Sequence, residues 1–275
     1  MAAIAFDAFA FHNHRNTVLH RHRFGETAFL AFAASNTFVL YNHRLWRKGA
    51  VTHPAARAAQ KRRRGGPRSW KIVAAMKTGI FGGTFNPPHI GHLHIANCVK
   101  KKLGLDRVFF IPVNVPPHKM LERDAASPRD RLEMTKRLAG CVEGACALSV
   151  ELERDGPSYT SDTLIRLSDS LPSDELWLIL GSDMFFTLDR WHEAGTVLRL
   201  ASVAVLPREE GDRGKLFDYA SFLEEKYGAR ICILDDRTIS LSSTLVRERI
   251  RSGGGKDLVP PGVWEYIKNR GLYVR

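Results

Sequence analysis

The sequence predicts an α/β fold built on a parallel sheet, and two features of the chain support this prediction. From residue 77 onward, short apolar runs typical of buried strands alternate with stretches that have the periodicity of amphipathic helices. The first apolar run leads into GIFGGTFNPPHIGHLHIA, residues 79–96, where a glycine turn and a proline pair connect a strand to a helix. Such folds bind ligands at the carboxyl ends of their strands, so we expect the binding site at this edge.

Six strands are predicted, because six short apolar runs end in glycine, proline or a polar turn. The runs cover residues 77–82, 107–113, 147–153, 175–180, 201–206 and 230–234.

Helices are predicted between these strands and after the last one. Ser127 followed by Pro128 is typical of a helix start, since serine caps the first amides and proline fits the first turn. Trp191 and His192 are expected on a short helix. Helices are expected over residues 91–103, 128–140, 161–171 and 215–227, from residue 242 onward, and over 261–269, where a C-terminal helical segment packs its apolar side.

The positive charge of the chain is concentrated at one end. The 275 residues carry a formal net charge of +12, but residues 1–75 contain 13 Lys or Arg against Asp7 and Glu26, which gives 13 − 2 = +11. Residues 76–275 are therefore nearly neutral. We expect two parts: a basic N-terminal extension, 1–75, that is disordered or translated from a misplaced start, and a domain over 76–275 that begins at Met76.

The composition of residues 1–75 leaves other interpretations open. The segment could be an arm for nucleic acid or anionic lipid, an organelle transit peptide or a histidine-rich metal site, although we favour upstream sequence before a true start. Its histidines have no spacing typical of an ordered metal site.

Several classes of protein are disfavoured by the remaining composition. No run of about 18 apolar residues occurs, so we expect no transmembrane helix and no membrane partner. The four cysteines lack metal-site or redox-site spacing, which favours a reducing cytoplasm. We assign no protein metal ligands, and a homo-oligomer remains one option for the assembly.

The turn after the first strand is predicted to bind phosphate. Gly82 and Gly83 allow unusual backbone conformations and the close approach of a ligand. His89 and His92 are three residues apart at a helix start, where free amides and the helix dipole attract anions. One such histidine is more often a cap or a surface group, but two after this turn favour a functional role. His94 points away from that face and is interpreted as scaffold.

A second helix start carries groups that could also bind phosphate. ISLSSTLVRERIR, residues 239–251, places the hydroxyls of Ser242, Ser243 and Thr244 at the start of a helix and Arg247 one turn later. A well-capped surface helix would explain this stretch equally well. If both helix starts bind phosphate, a triphosphate lies across the sheet edge.

The missing motifs favour transfer at the α-phosphate. The chain has no GxxxxGK[ST] run and no kinase signature. Attack at the α-phosphate with loss of pyrophosphate needs mainly positioning and charge neutralisation. Mg²⁺ is expected as a cofactor held mainly by the phosphates of the triphosphate ligand and by water.

Other strand ends carry candidate contacts for the rest of the substrates. Gly181 and Asp183 follow the fourth predicted strand, where Asp183 could cap a helix or bind a ribose hydroxyl. Tyr159 and Thr160 stand at another strand-to-helix junction, and Lys119 lies in the loop NVPPHK. Trp191 would be either a core residue or a stacking partner for a ring.

Six stretches in this order resemble bacterial nicotinate-nucleotide adenylyltransferases over essentially all of residues 76–275. They are GGTFNPPHIGHLHIA, VPPHK, PSYTSDTL, LILGSDM followed by Trp191, ISLSSTLVR and VPPGVWEYIKNRGLY. The resemblance implies a Rossmann-like, doubly wound parallel sheet with helices on both faces. It also implies that ATP and nicotinate mononucleotide react to give deamido-NAD and pyrophosphate, a step of NAD biosynthesis.

The resemblance also assigns roles to single residues. It implies that His89, His92 and Arg247 are catalytic, and that Lys119, Thr160 and Trp191 meet nicotinate mononucleotide. Asn86 replaces a frequent Asp of the family, and His192 replaces another aromatic residue. The implied ATP-binding residues are Gly82, Gly83, Thr84, Phe85, Gly181, Asp183, Ser243 and Thr244.

Two groups of alternatives remain at this point. A sister enzyme would adenylylate nicotinamide mononucleotide or phosphopantetheine, and it would share most of these motifs. A nucleic-acid-binding protein would have to act through residues 1–75, with an affinity that falls steeply with salt. Class I aminoacyl-tRNA synthetases share the HxGH element, but SSTLVR stands where their second signature would be sought.

Overall fold

The computed structural model divides the chain into two units, Met1–Arg68 and Ser69–Arg275. The structure describes residues 31–34, 37–40, 75–117, 125–207, 213–236 and 239–274. In the first unit these are two strands, β1 (Ala31–Ala34) and β2 (Thr37–Leu40), which pair antiparallel and which the sequence did not predict. The predicted disorder or misplaced start of residues 1–75 otherwise lies outside the described residues.

A six-stranded parallel sheet forms the centre of the second unit. Its strands lie in the order β5-β4-β3-β6-β7-β8. The chain therefore moves outward from β3 in one direction, returns to the other side of β3, and moves outward again. They are β3 (Lys77–Gly83), β4 (Arg107–Pro112), β5 (Ala145–Ala147), β6 (Glu175–Gly181), β7 (Ser202–Leu206) and β8 (Ile231–Ile233).

This order confirms the predicted α/β fold with a doubly wound parallel sheet. Right-handed crossovers that run outward in opposite directions place their helices on opposite faces of a sheet. The strand order reverses between β3 and β6, and ligands bind at the carboxyl ends of the strands beside such a reversal.

The helices begin and end close to their predicted bounds. Ser127 Oγ accepts a hydrogen bond from the Asp130 amide at 3.1 Å, and Pro128 is the first helical residue, as expected. The helices are α1 (Ile90–Leu103), α2 (Pro128–Ala139), α3 (Thr160–Ser170), α4 (Ser182–Phe185), α5 (Ala194–Leu200), α6 (Arg213–Tyr227), α7 (Ser243–Arg251) and α8 (Pro261–Arg270), with 3₁₀ turns at Leu188–Arg190 and Lys256–Leu258.

Two predicted elements are wrong. The third strand is not residues 147–153 but the shorter β5, after which Leu152 donates its amide to the Ser149 carbonyl in a turn. This turn buries both Val150 and Glu151, which strict strand alternation would not do. Trp191 and His192 do not lie within a helix, because Trp191 ends the 3₁₀ turn Leu188–Arg190 by donating its amide to the Leu188 carbonyl and His192 lies in the turn before α5.

The core lies on both faces of the sheet, as the runs of apolar residues require. All six residues of β4 and all five of β7 are buried. At the amino ends of the strands, Arg107 forms a buried ion pair with Asp174 at 2.5 Å and donates from Nε to Thr78 Oγ1 at 2.9 Å. In the part of the chain that the structure describes, every helix is too short or too polar to cross a bilayer.

Candidate active site

A cavity of about 670 Å³ lies at the carboxyl ends of β3, β4 and β6. Its volume is typical of sites for small-molecule ligands and cofactors. Lys119 lies outside the described residues, so its predicted place stays a prediction. The other predicted site residues all line the cavity: Gly82, Gly83, Thr84, Phe85, His89, His92, Thr160, Gly181, Asp183, Trp191, Ser243, Thr244 and Arg247.

The two histidines form a close pair at the start of α1. Their ring centroids are 3.8 Å apart, and the His89 amide donates to His92 Nδ1 at 3.2 Å. Because Nδ1 accepts this bond, a neutral His92 carries its proton on Nε2, which could donate to a phosphate oxygen. The centroid of the Phe85 ring lies 5.0 Å from that of His92.

Gly91 leaves room for this histidine pair. A Cβ on Gly91 would lie 2.9 Å from His89 Nδ1 and 3.0 Å from its Cε1, closer than real Cβ contacts allow. The glycine between the histidines of the HxGH element therefore allows the His89 ring to lie against the first turn of the helix.

The explanation of Gly82 and Gly83 by backbone conformation is wrong. Neither is among the residues with positive φ, whereas Phe85 is, with φ = 49°. A Cβ on Gly82 would meet nothing within 4 Å, and one on Gly83 would lie 3.2 Å from the Phe85 ring. Close approach of a ligand to these glycines stays a prediction.

The start of α7 is hydrogen-bonded to the turn that precedes α1. Ser242 caps α7 by accepting from the Leu245 amide at 3.2 Å, and Ser243 Oγ donates to the Pro87 carbonyl at 2.9 Å. Arg247 is 3% exposed and donates from Nη1 to the Asn86 carbonyl at 2.8 Å. The structure therefore brings both predicted phosphate-binding helix starts to one cavity.

The side chain of Asn86 connects this turn to two other parts of the domain. Its Oδ1 accepts from the Ala126 amide at 3.0 Å and from the Tyr273 hydroxyl at 2.7 Å. Burial raises the pKa of Tyr273, so its hydroxyl stays protonated and can donate this bond. The C-terminal tail thereby holds the turn that carries the histidines.

The other side of the cavity is formed by aromatic residues and the start of α3. Tyr159 is the N-cap of α3, and its ring centroid lies 4.1 Å from that of the exposed His192. Trp191 is partly buried and donates from Nε1 to Thr187 Oγ1 at 3.0 Å, which fixes its ring. Gly181 is the N-cap of α4, so the N-cap interpretation of Asp183 is wrong, while its contact with a ribose stays a prediction.

Sequence reasoning missed Glu151, Ser158 and Thr163, which also line the cavity. Thr163 Oγ1 donates to Glu151 Oε1 at 2.7 Å and accepts from Arg154 Nη2 at 2.8 Å. Burial raises the pKa of Glu151 to about 7, against the opposing effects of the Thr163 hydrogen bond and the Arg154 charge. The polar sequence ELERDGPS, residues 151–158, could have indicated these site residues. The wrong prediction of a strand over 147–153 assigned its first residues to that strand instead.

The described residues contain no group of three or more His, Cys, Asp or Glu side chains that could hold a metal ion. The cavity is lined by donors suited to phosphate oxygens, among them His89, His92 and Arg247, and by the carboxyl groups of Glu151 and Asp183. The site therefore fits a metal ion that arrives with a phosphate ligand.

Comparisons with known proteins agree with this geometry. The model of the cytidylyltransferase-like family matches residues 80–249. A probable nicotinate-nucleotide adenylyltransferase of Dehalococcoides mccartyi is 40% identical over 208 residues, which cover 74% of this chain and 100% of the relative. One from Dictyoglomus thermophilum is 39% identical over 205 residues, covering 72% of this chain and 100% of the relative.

Solved structures support the fold. Plasmodium falciparum nicotinic acid mononucleotide adenylyltransferase, complexed with NaAD, superposes with a TM-score of 0.57 at 15% identity. The match covers 72% of this chain and 97% of that protein. The same protein complexed with APC gives a TM-score of 0.56 at 14% identity, with the same coverage.

Proposed function

We propose that this chain, which belongs to the nicotinate-nucleotide adenylyltransferase family, transfers the adenylyl group of ATP to nicotinate mononucleotide. The products are deamido-NAD and pyrophosphate. One observation carries the proposal: the HxGH helix start and the SSTLVR helix start, about 150 residues apart in sequence, line the same cavity at the carboxyl edge of the sheet.

ATP would lie along the edge from β6 to α7. Gly181 and Asp183 would line the adenosine, and the turn from Gly82 to Phe85 would let the chain approach the phosphates closely. His89, His92, Ser243, Thr244 and Arg247 would then donate to the triphosphate.

Nicotinate mononucleotide would lie on the opposite side of the cavity. The start of α3 suits its carboxylate, because no side chain caps the first amides of that helix and the helix dipole is positive there. Trp191, whose ring is held by its bond to Thr187, would stack on the nicotinate ring, and Thr160 and Lys119 would provide polar contacts.

The reaction needs the attacking oxygen, the α-phosphorus and the leaving oxygen to lie in one line. An oxygen of the acceptor phosphate forms a bond to the α-phosphorus while the bond from that phosphorus to the bridging oxygen breaks, and pyrophosphate leaves. The histidines and Arg247 would stabilise the charge that develops on the phosphate oxygens.

Mg²⁺ is proposed as the cofactor, held by the phosphates of ATP and by water. Mg²⁺ would neutralise negative charge on the phosphates of ATP. The basic groups of the cavity would neutralise the remainder of that charge. Chelation of divalent cations should abolish turnover, and added Mg²⁺ should restore it.

A panel of acceptors tests the proposed function. The chain is incubated with ATP and either nicotinate mononucleotide, nicotinamide mononucleotide or phosphopantetheine, and released pyrophosphate is measured. We expect the highest kcat/KM with nicotinate mononucleotide. Preference for another acceptor would assign the chain to a sister activity, and no release with any acceptor would contradict adenylyl transfer.

The cellular setting is proposed on separate grounds. The four cysteines are free thiols, as expected in a reducing cytoplasm, and we propose that compartment for the enzyme. The alternative function of nucleic-acid binding depends on residues 1–75, most of which lie outside the described residues. A homo-oligomer stays a proposal, which sedimentation would test.

A further inference from the structure

Arg131 is a fully buried arginine that the predicted site did not include. It lies on α2 with an exposed fraction of 0%. No ion pair joins it to a carboxylate among the described residues. A buried guanidinium is costly unless its donors are satisfied, so its hydrogen bonds indicate why the side chain is there.

The donors of Arg131 reach backbone carbonyls in two separate loops. Nη1 donates to the Thr84 carbonyl at 2.9 Å and to the Val113 carbonyl at 2.6 Å, and Nη2 lies 3.3 Å from the Asn114 carbonyl. Thr84 belongs to the turn that leads to His89 and His92. Val113 and Asn114 follow β4, so one side chain joins the loops after two neighbouring strands.

The loop after β4 is bonded in turn to the acceptor side of the cavity. The Asn114 amide donates to Ser158 Oγ at 3.1 Å, and Asn114 Nδ2 donates to the Arg154 carbonyl at 3.0 Å. The Ser158 amide donates to the Val115 carbonyl at 2.9 Å. Ser158 immediately precedes Tyr159, the N-cap of α3.

These contacts form a continuous bridge between the two substrate sides. It runs from the Thr84 carbonyl through Arg131 and Asn114 to Ser158. The bridge uses a planar, multi-donor guanidinium, whose fixed geometry can hold three carbonyls at set positions, while a lysine ammonium is a point donor on a flexible stem.

We propose that Arg131 is a positioning residue that aligns the ATP-binding turn with the acceptor-binding loop. It is not among the residues that line the cavity. This inference rests on the proposed adenylyl transfer, in which the acceptor oxygen must approach the α-phosphorus in line. When Arg131 is lost, each substrate still meets its own contacts and the Val113 amide still donates to the Gly83 carbonyl at 3.0 Å, but the Thr84 and Asn114 carbonyls lose their common donor and the reacting atoms lose their alignment.

Arg131→Lys tests this role, because it keeps the charge and most of the buried stem while losing the planar set of donors. We expect kcat to fall at least about 30-fold, since misplacement by about 1 Å can cost 100-fold in rate. KM for ATP and for nicotinate mononucleotide should each stay within about threefold. A residue with only a structural role would instead lower the melting temperature and leave kcat of the folded fraction unchanged.

Arg107→Lys is the matched control. Arg107 is also a buried arginine with hydrogen-bonded partners, but it lies at the amino ends of the strands, far from the cavity. This variant should lose thermal stability and keep kcat. Equal kcat losses in both variants would overturn the proposal, as would an unchanged kcat in folded Arg131→Lys.

A second variant keeps the test decisive if Arg131→Lys does not fold. Ser158→Ala removes the Oγ that accepts from the Asn114 amide, the last bond of the bridge, so kcat should fall about five- to tenfold with both KM values unchanged. An unchanged kcat would contradict the bridge. Absence of turnover in the wild type with nicotinate mononucleotide would instead contradict the proposed function, so the two failures are distinguishable.

Discussion

His92 combines a fixed orientation with a place at the cavity wall. Its Nδ1 accepts from the His89 amide, and its ring lies against Phe85 and Phe81. We predict that His92→Ala lowers kcat at least about 100-fold, the cost of losing one hydrogen-bond donor to a transition state. The measurement is steady-state pyrophosphate release, with circular dichroism to verify the fold.

His94→Ala is the matched control for this prediction. His94 lies on the same helix but is not among the residues that line the cavity. Its replacement should leave kcat within about twofold, because its side chain does not line the cavity in which the substrates would react. Near-normal turnover in folded His92→Ala would remove His92 from the mechanism.

Glu151 should make stability depend on pH. Its pKa is raised from 4.5 to about 7 in the folded protein, so the folded state binds the proton more tightly than the unfolded state. Its contribution is fully present below about pH 4.5 and is lost as the pH rises through 7. Between pH 5 and pH 8 the loss should be about 2–3 kcal/mol of unfolding free energy.

Glu151→Gln isolates this contribution. The amide keeps an oxygen acceptor for Thr163 but does not ionise, so urea denaturation of the variant should lack this part of the pH dependence. The difference in unfolding free energy between the variant and the wild type should therefore shift in favour of the variant from pH 5 to pH 8. A constant difference would show that Glu151 titrates near its ordinary pKa.

Single residues could be predicted where the chemistry is local in sequence. His89 and His92 share one helix turn, as do Ser243 and Arg247, so their common faces follow from spacing. Arg131 and Asn86 could not be found this way. Their partners lie 17 to 187 residues away, and no periodicity reports which carbonyl or hydroxyl a buried polar group will meet.

At the scale of elements, α8 is held against α2 by Asp130. The Tyr266 hydroxyl donates to Asp130 Oδ1 at 2.8 Å, and Arg270 Nε lies 3.3 Å from the same oxygen. The Arg137 guanidinium lies over the Tyr266 ring, 4.3 Å from its centroid. Burial opposes ionisation of Asp130, but hydrogen bonds from Ser127 and Tyr266 and the Arg270 charge hold its pKa below the usual value.

We predict that Asp130→Ala lowers the free energy of unfolding by about 2–3 kcal/mol, because hydrogen bonds to a charged group are among the stronger ones. Tyr266→Phe removes only one of these bonds and should cost about 1 kcal/mol. Urea denaturation measures both values. Equal stability of Asp130→Ala and the wild type would contradict this anchoring of α8.

Most elements were predictable because their apolar runs are bounded by strong turn residues. One exception is the third strand, where the apolar run predicted a strand over residues 147–153 but the structure forms only Ala145–Ala147. β5 lies at the edge of the sheet and pairs with β4 alone, so no second partner extends it. The chain turns instead and brings Glu151 to the cavity.

At the scale of the whole molecule, the site depends on the reversal of strand order. β3 pairs with β4 on one side and with β6 on the other, although β6 begins almost 100 residues after β3 begins. The alternation of strands and helices predicts a parallel sheet, but pairing over this distance does not follow from local patterns. The resemblance implied a doubly wound sheet, and the structure supplies the strand order itself.

The second unit should be sufficient for activity. Relatives whose entire length is matched cover only 72 to 74% of this chain. All predicted site residues that the structure describes belong to the second unit, as does the whole parallel sheet. We therefore predict that residues 76–275, expressed alone, retain kcat and both KM values within about twofold, because every proposed substrate contact remains.

A second measurement completes this experiment. It compares the retention of the full chain and of residues 76–275 on a DNA column at increasing salt. The net charge of +11 in residues 1–75 predicts that any retention is lost with this segment and falls with salt. If residues 76–275 keep their turnover but lose the DNA retention of the full chain, the protein is an enzyme with a basic DNA-binding arm. If turnover is unchanged and neither the full chain nor residues 76–275 is retained, residues 1–75 have no role in DNA binding. Loss of turnover would mean that residues before Met76 contribute to the working fold, which contradicts the assignment of the enzyme to residues 76–275.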